Sequence, residues 1–262
     1  MPAFEALPGM PYWQDLATVD TTKSAYFYSK LLGWEVEGDL YRMARTQGLP
    51  VAGFIGGLDD PTMSDAWVTY FFTRDVEGVK RGVVTRGGEV LATAEVSLGT
   101  MVLCADPAGA IFGVIEPAGE DQFVAAGEPG TPVWHEYVAL DRARECIDFY
   151  AELFDWEVTH SQGYYLATAE GAPFLGLRDD SGNADVAALA GFWETYFGVE
   201  DVARAARRAQ ELGGEVVHGP EDSPFGPLVL VADPTGATVT LCEVEAPAPE
   251  ELLSESDSVL GL

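Results

Sequence analysis

Apolar and polar positions alternate through "WQDLAT", which begins at Trp13, and a period of two predicts a half-buried strand. The pattern then changes. In "DTTKSAYFYSKLLGW" the apolar residues Phe27, Leu31 and Leu32 fall at i, i+4 and i+5, the spacing of one helix face. Asp20 or Thr21 can cap that helix. Three short strands follow, "WEVE", "LYRMAR" and "VAGFIGG". The same order then recurs: a strand "WVTYFFT", a helix "DVEGVKRGVVTRGG" closed by glycines, and strands "EVLAT", "TMVLCAD" and "AIFGVIE". "DPAG" and "DPTG" are turn signals that join the last two strands of each half.

The whole pattern is written twice. "GMPYWQDLATVD" from Gly9 is echoed by "GTPVWHEYVALD" from Gly130, so that Trp13 answers Trp134, Asp15 answers Glu136 and Asp20 answers Asp141, each 121 positions on. "FYSKLLGWEV" answers "FYAELFDWEV", and "VLCADPAGA" answers "VLVADPTGA". The offset drifts only to 127, so insertions are small and the units are far longer than a solenoid repeat. The expectation is an α+β chain with a tandem duplication and four βαβββ modules. The halves span 9–116 and 132–245, with a linker at 117–131. An acidic flexible tail should occupy 246–262.

Composition narrows the partners. Fourteen basic residues stand against 43 acidic ones, a formal charge of −29 over 262 residues. Such a surface repels nucleic acid and anionic lipid, and favours a cationic ligand. No apolar run approaches the ~20 residues of a membrane span, and the N-terminus does not read as a signal peptide. Cys104, Cys146 and Cys242 form no C-x-x-C pair, which suits a reducing cytoplasm. Phosphate-loop, dinucleotide and G-x-S-x-G motifs are missing from the sequence.

The run from Asp20 through "FY-x-x-L-x-G-W", with "D-P-x-G-A" at Asp106 and Asp233, resembles the vicinal oxygen chelate superfamily. That superfamily includes glyoxalase I, bleomycin-resistance proteins and extradiol dioxygenases. The "P-x-W-x-[DE]" start looks like an actinobacterial two-domain branch, some of whose members sit in biosynthetic clusters for aromatic antibiotics. The resemblance covers roughly Gly9 to Glu245. It implies that two modules curl their sheet around one funnel, giving each half its own concave site with Gly113 and Thr240 near the two centres. It also implies where metal-using members place their ligands. Here those places hold Trp13, Val68 and Gly113 in the first half and Trp134, Glu194 and Thr240 in the second. Tryptophan, glycine and valine cannot serve as the donors a divalent metal needs, so neither metal nor cofactor is expected.

Candidate ligand-binding residues follow from strand parity. Asp15 and Glu136 share a face with Trp13 and Trp134, while His135 points to the opposite face. Tyr70 and Tyr196 lie two residues beyond Val68 and Glu194. Thr238 and Thr240 line the last strand of the second half, which makes that funnel the more polar one. Asp15, Glu136 and Glu194 are the candidate acid–base groups; each also reads as an exposed strand-end carboxylate, and Glu194 has the better claim because it stands in a ligand-like register. Trp13 and Trp134 read either as stacking platforms or as plugs, the first half favouring the plug and the second the platform. Two functions remain: a metal-free protein that holds a hydrophobic aromatic metabolite for resistance or to assist a tailoring enzyme, and a lyase, isomerase or hydroxylase using funnel carboxylates. A metal-dependent glyoxalase or dioxygenase stands third.

Overall fold

The computed structural model describes residues 3–56, 65–119, 123–161, 164–182, 190–223 and 226–246. Of the acidic tail only Ala246 lies among them. After a short strand β1 (Ala3–Glu5), the first module comprises β2 (Pro11–Ala17), α1 (Thr21–Leu32), β3 (Glu35–Glu37), β4 (Tyr41–Thr46) and β5 (Leu49–Ile55). The second comprises β6 (Ala66–Phe72), α2 (Val76–Thr85), β7 (Glu89–Val96), β8 (Gly99–Ala105) and β9 (Ile111–Pro117). Strand β10 (Phe123–Ala125) precedes the third module, which runs β11 (Pro132–Ala139), α3 (Ala143–Phe154), β12 (Glu157–Ser161), β13 (Tyr164–Ala169) and β14 (Ala172–Asp179). The fourth has β15 (Phe192–Val199), α4 (Val202–Glu211), β16 (Glu215–Ser223), β17 (Gly226–Ala232) and β18 (Thr238–Glu243).

Helix α1 begins where the Asp20 carboxylate accepts the Lys23 N–H at 2.9 Å, and ends at Gly33, whose φ of 75° closes the last turn. Asp75 and Asp201 cap α2 and α4 in the same way. The last strand of each half adds a second anion there. Glu116 Oε2 accepts the Val76 N–H at 2.9 Å, and Glu243 Oε2 accepts the Val202 N–H at 3.0 Å. Both glutamates therefore serve the helix side of their sheet, not the concave side.

Each half is one eight-stranded sheet, ordered β3-β4-β5-β2-β6-β9-β8-β7 and β12-β13-β14-β11-β15-β18-β17-β16. The two modules of a half meet through one antiparallel pair, β2 with β6 and β11 with β15. The connector between the halves is not merely a spacer, because β10 pairs antiparallel with β1.

The cores are assembled crosswise. One core joins Phe27, Tyr28, Trp34 and Phe54 of the first module to Phe197, Val202, Val229 and Leu241 of the fourth. The other joins Phe71, Val83, Phe112 and Val114 of the second module to Ile147, Phe149, Tyr150 and Leu175 of the third. Helix α1 accordingly packs on α4, and α2 on α3. Polar groups lock the same seam. Asp106 holds its own turn by accepting the Ala108 and Ala110 N–H groups at 2.8 and 2.9 Å, and it also accepts the hydroxyl of Tyr137 from the other half. Thr69, Thr195 and His135 form a buried cluster where the two sheets back onto each other, with His135 Nδ1 3.4 Å from Thr195 Oγ1. Burial lowers the His135 pKa to about 3, so the imidazole is neutral at physiological pH.

Two funnels of unequal polarity

The strand pairings bring matching residues together on the concave face of each sheet. In the first half Trp13 lies opposite Tyr70, Asp15 opposite Val68 and Gly53, and Tyr70 opposite Gly113. In the second, Trp134 lies opposite Tyr196, Glu136 opposite Glu194 and Gly176, and Tyr196 opposite Thr240. Gly113 and Thr240 thus stand at equivalent places in two separate sheets.

Both halves repeat one unit of tryptophan, tyrosine and carboxylate. The Trp13 Nε1–H donates to Asp15 Oδ1 at 2.7 Å and lies 3.0 Å from the Tyr41 hydroxyl, which donates to the same Asp15 oxygen at 2.7 Å. In the second half Tyr164 donates to Glu136 Oε2 at 2.7 Å, and the Trp134 indole and the Tyr164 hydroxyl both lie beside Gly176. Glycine makes room for each unit. A Cβ on Gly53 would lie 2.0 Å from the Tyr41 oxygen and 2.2 Å from Asp15, and one on Gly176 would lie 2.0 Å from the Tyr164 oxygen. Tyr41 and Tyr164 were not singled out by strand parity. Their retention at the same place in both repeats was the available signal.

What surrounds the unit differs. Asp15 is 3% exposed and no cation among the described residues faces it, so burial raises its pKa to about 6 against the pull of its Tyr41, Trp13 and Tyr70 hydrogen bonds. Glu136 instead has the Arg178 guanidinium 3.4 Å from Oε1. The register aligns Arg178 with Ile55, Glu194 with Val68 and Thr240 with Gly113. Those three exchanges make the second funnel polar. Burial, together with the nearby Glu136 carboxylate, raises the Glu194 pKa against the hydrogen bond from Thr240. Thr238, at the start of β18, is exposed. Burial and the adjacent carboxylates push Tyr41, Tyr70, Tyr164 and Tyr196 above the ordinary phenol range, so all four keep their protons at neutral pH.

The first funnel contains a cavity of about 370 Å³. Asp15, Tyr41 and Tyr70 supply its polar groups, and Val68, Ala92, Ala94, Met101 and Leu103 are among its apolar walls. Trp13 is not part of the wall. It is 4% exposed and packs with Met101 and Ile115 beneath Met43, Tyr70 and Leu98. The Tyr70 ring lies across Gly113, where a Cβ would come within 2.0 Å of it. Gly113→Ala should therefore displace Tyr70 and cost ~1–3 kcal/mol of stability, the usual cost of overpacking; urea unfolding measures it. Trp134 is half-buried and lines a second groove of about 350 Å³ at the seam between the halves, beside Tyr12, Gln14, His135 and Phe174.

Among the described residues, no group of three or more His, Cys, Asp or Glu is placed to hold a metal ion. No described helix is long and apolar enough to cross a membrane.

Comparison with known proteins places this architecture. The profile of the Glyoxalase/Bleomycin resistance protein/Dioxygenase superfamily matches residues 135–241. The anthracycline biosynthesis protein DauV of Streptomyces sp. (strain C5) is 30% identical, over 92% of this chain and 96% of its own. The chain belongs to the glyoxalase/bleomycin resistance/dioxygenase superfamily. Two solved structures share its fold at low identity. The Mn(II)-bound glyoxalase from Novosphingobium aromaticivorans superposes with a TM-score of 0.62 at 16% identity, covering 92% of this chain and 88% of that one. The 2,3-dioxygenase LapB from Pseudomonas sp. KL28 gives 0.62 at 13% identity, covering 94% and 96%. Within this superfamily the chain is a tandem duplication of two vicinal-oxygen-chelate domains, four βαβββ modules in all.

Proposed function

We propose that the chain is a metal-independent small-molecule-binding protein whose first-domain pocket holds a hydrophobic, partly aromatic metabolite. The observation that carries this reading is the apolar cavity with a small polar floor, the usual composition of a ligand pocket. The donor set supports the same reading. Trp13, Val68 and Gly113 offer no ligand oxygen, nitrogen or thiolate, and the Tyr70 ring fills the space above Gly113. In the second domain Arg178 already brings a cation to Glu136, and Glu194 accepts the Thr240 hydroxyl. Neither set fits a divalent transition metal, which needs three or four converging donors.

The similarity to the anthracycline biosynthesis protein DauV supports an aromatic polyketide or a related antibiotic as the ligand class, held for resistance or to assist a tailoring enzyme. A surface charge of −29 favours a ligand that carries an amine outside the pocket and disfavours nucleic acid and membrane partners. Cytoplasmic residence accords with three buried free cysteines.

Protein purified without chelator should contain no stoichiometric iron, manganese, nickel or zinc by elemental analysis. About one metal per domain, lost in Glu194→Ala, would overturn the reading. A second reading, acid–base catalysis, draws on the Asp15 pKa of about 6, which suits a general base near neutral pH. Chemical conversion of a bound ligand, abolished in Asp15→Asn, would establish it in place of simple binding.

A further inference from the structure

Resting on the pocket reading above, the geometry points to a ligand that presents a phenolic hydroxyl to the Asp15 carboxylate at the floor of the first-domain pocket. The Trp13 indole N–H and the Tyr41 hydroxyl both donate to Asp15 Oδ1 at 2.7 Å. An ionised carboxylate offers about four acceptor positions, so two remain beyond these donors. What the floor turns toward the cavity is therefore an acceptor, the Asp15 carboxylate. Ser97, a further polar residue among the described lining, lies in the turn between β7 and β8.

A ketone or carboxylate placed there would set acceptor against acceptor. An ammonium group would lose its hydration against Ala92, Ala94, Val96, Met101 and Leu103. A phenol brings one proton and a planar apolar body. The second domain does not share this preference, because Arg178 places donors beside its carboxylate. The floor thus separates the two funnels by hydrogen-bond sense as well as by polarity.

Four probes of one shape test this in the full chain above the Asp15 pKa: naphthol, methoxynaphthalene, naphthylmethylamine and naphthoate, titrated by calorimetry. Naphthol should bind about 10- to 100-fold tighter than methoxynaphthalene, the range for one hydrogen bond to a charged group. Asp15→Asn should bring the two close to parity while methoxynaphthalene keeps its affinity. If that variant does not fold, the wild-type series still decides. Equal binding of naphthol and methoxynaphthalene, or tighter binding of the amine or the naphthoate, overturns the phenol assignment and leaves the pocket reading standing. Ala94→Trp, which fills the cavity from β7, should abolish binding of every probe. Binding by none of the probes, or binding unchanged in Ala94→Trp, overturns the pocket reading and the phenol assignment together.

Discussion

Trp13→Ala should lower the unfolding free energy by about 3–5 kcal/mol, the cost of truncating a large aromatic side chain in a core. For a chain of this size the melting temperature should fall by roughly 10 °C. Two losses combine. The indole fills the space under Met101, Ile115 and Tyr70, and its N–H is one of the donors that make a buried Asp15 tolerable. Trp134→Ala should cost less, because Trp134 is only half-buried. Differential scanning calorimetry of the two variants side by side measures the asymmetry. Equal losses would show that the two tryptophans play one role. A Trp13→Ala protein with full stability would show that the indole is no plug.

The second large effect is a pH dependence of stability that runs against the usual carboxylate trend. Asp15 titrates at about 6 in the folded protein, above the 3.8 of a free aspartate. Between those values the folded chain holds a proton that the unfolded chain releases. The stability this provides is fully present below about pH 4 and is lost as pH rises through about 6, the reverse of a salt-bridged aspartate. Two units at ~1.4 kcal/mol each give about 3 kcal/mol. Glu194 shifts in the same direction and other carboxylates titrate in the same window, so the informative quantity is the difference between wild type and Asp15→Asn. Urea unfolding at acid and neutral pH should show the variant gaining on the wild type as pH rises. A constant difference across that range would mean that Asp15 is not buried as a lone charge.

Much of this fold was legible because the period of the apolar positions switches cleanly between two and 3.6, and because every switch is repeated in the second half. Strand parity also placed Asp15, Glu136, Glu194, Tyr70, Tyr196 and Thr240 on one face, since their positions depend only on alternation within a strand. The residues that were not legible depend on pairing between strands. Tyr41, Tyr164 and Arg178 reach the funnels from β4, β13 and β14, and which carboxylate each meets is set by how those strands pair with their neighbours. The cavity in the first funnel was hidden for a related reason. Its walls come from β7 and β8, and their small side chains read as ordinary strand residues. The two aspartates of the D-P-x-G turns looked like turn residues alone. The Tyr137 contact to Asp106 spans the halves, and no local pattern encodes it.

The crosswise cores have a consequence for how such a chain diverges. Each core takes one module from each half, so neither half possesses a complete interior. The molecule is a dimer written into a single gene, and its shape has the pseudo-twofold symmetry of one. In a true homodimer any change to a site appears twice, and the two sites stay alike. Joining the copies removes that constraint without disturbing the interior that both must share. Ile55 and Arg178, Val68 and Glu194, Gly113 and Thr240 are the places where the symmetry has been broken. The chain is thereby a heterodimer by composition, with one scaffold carrying an oily cup and a charged one.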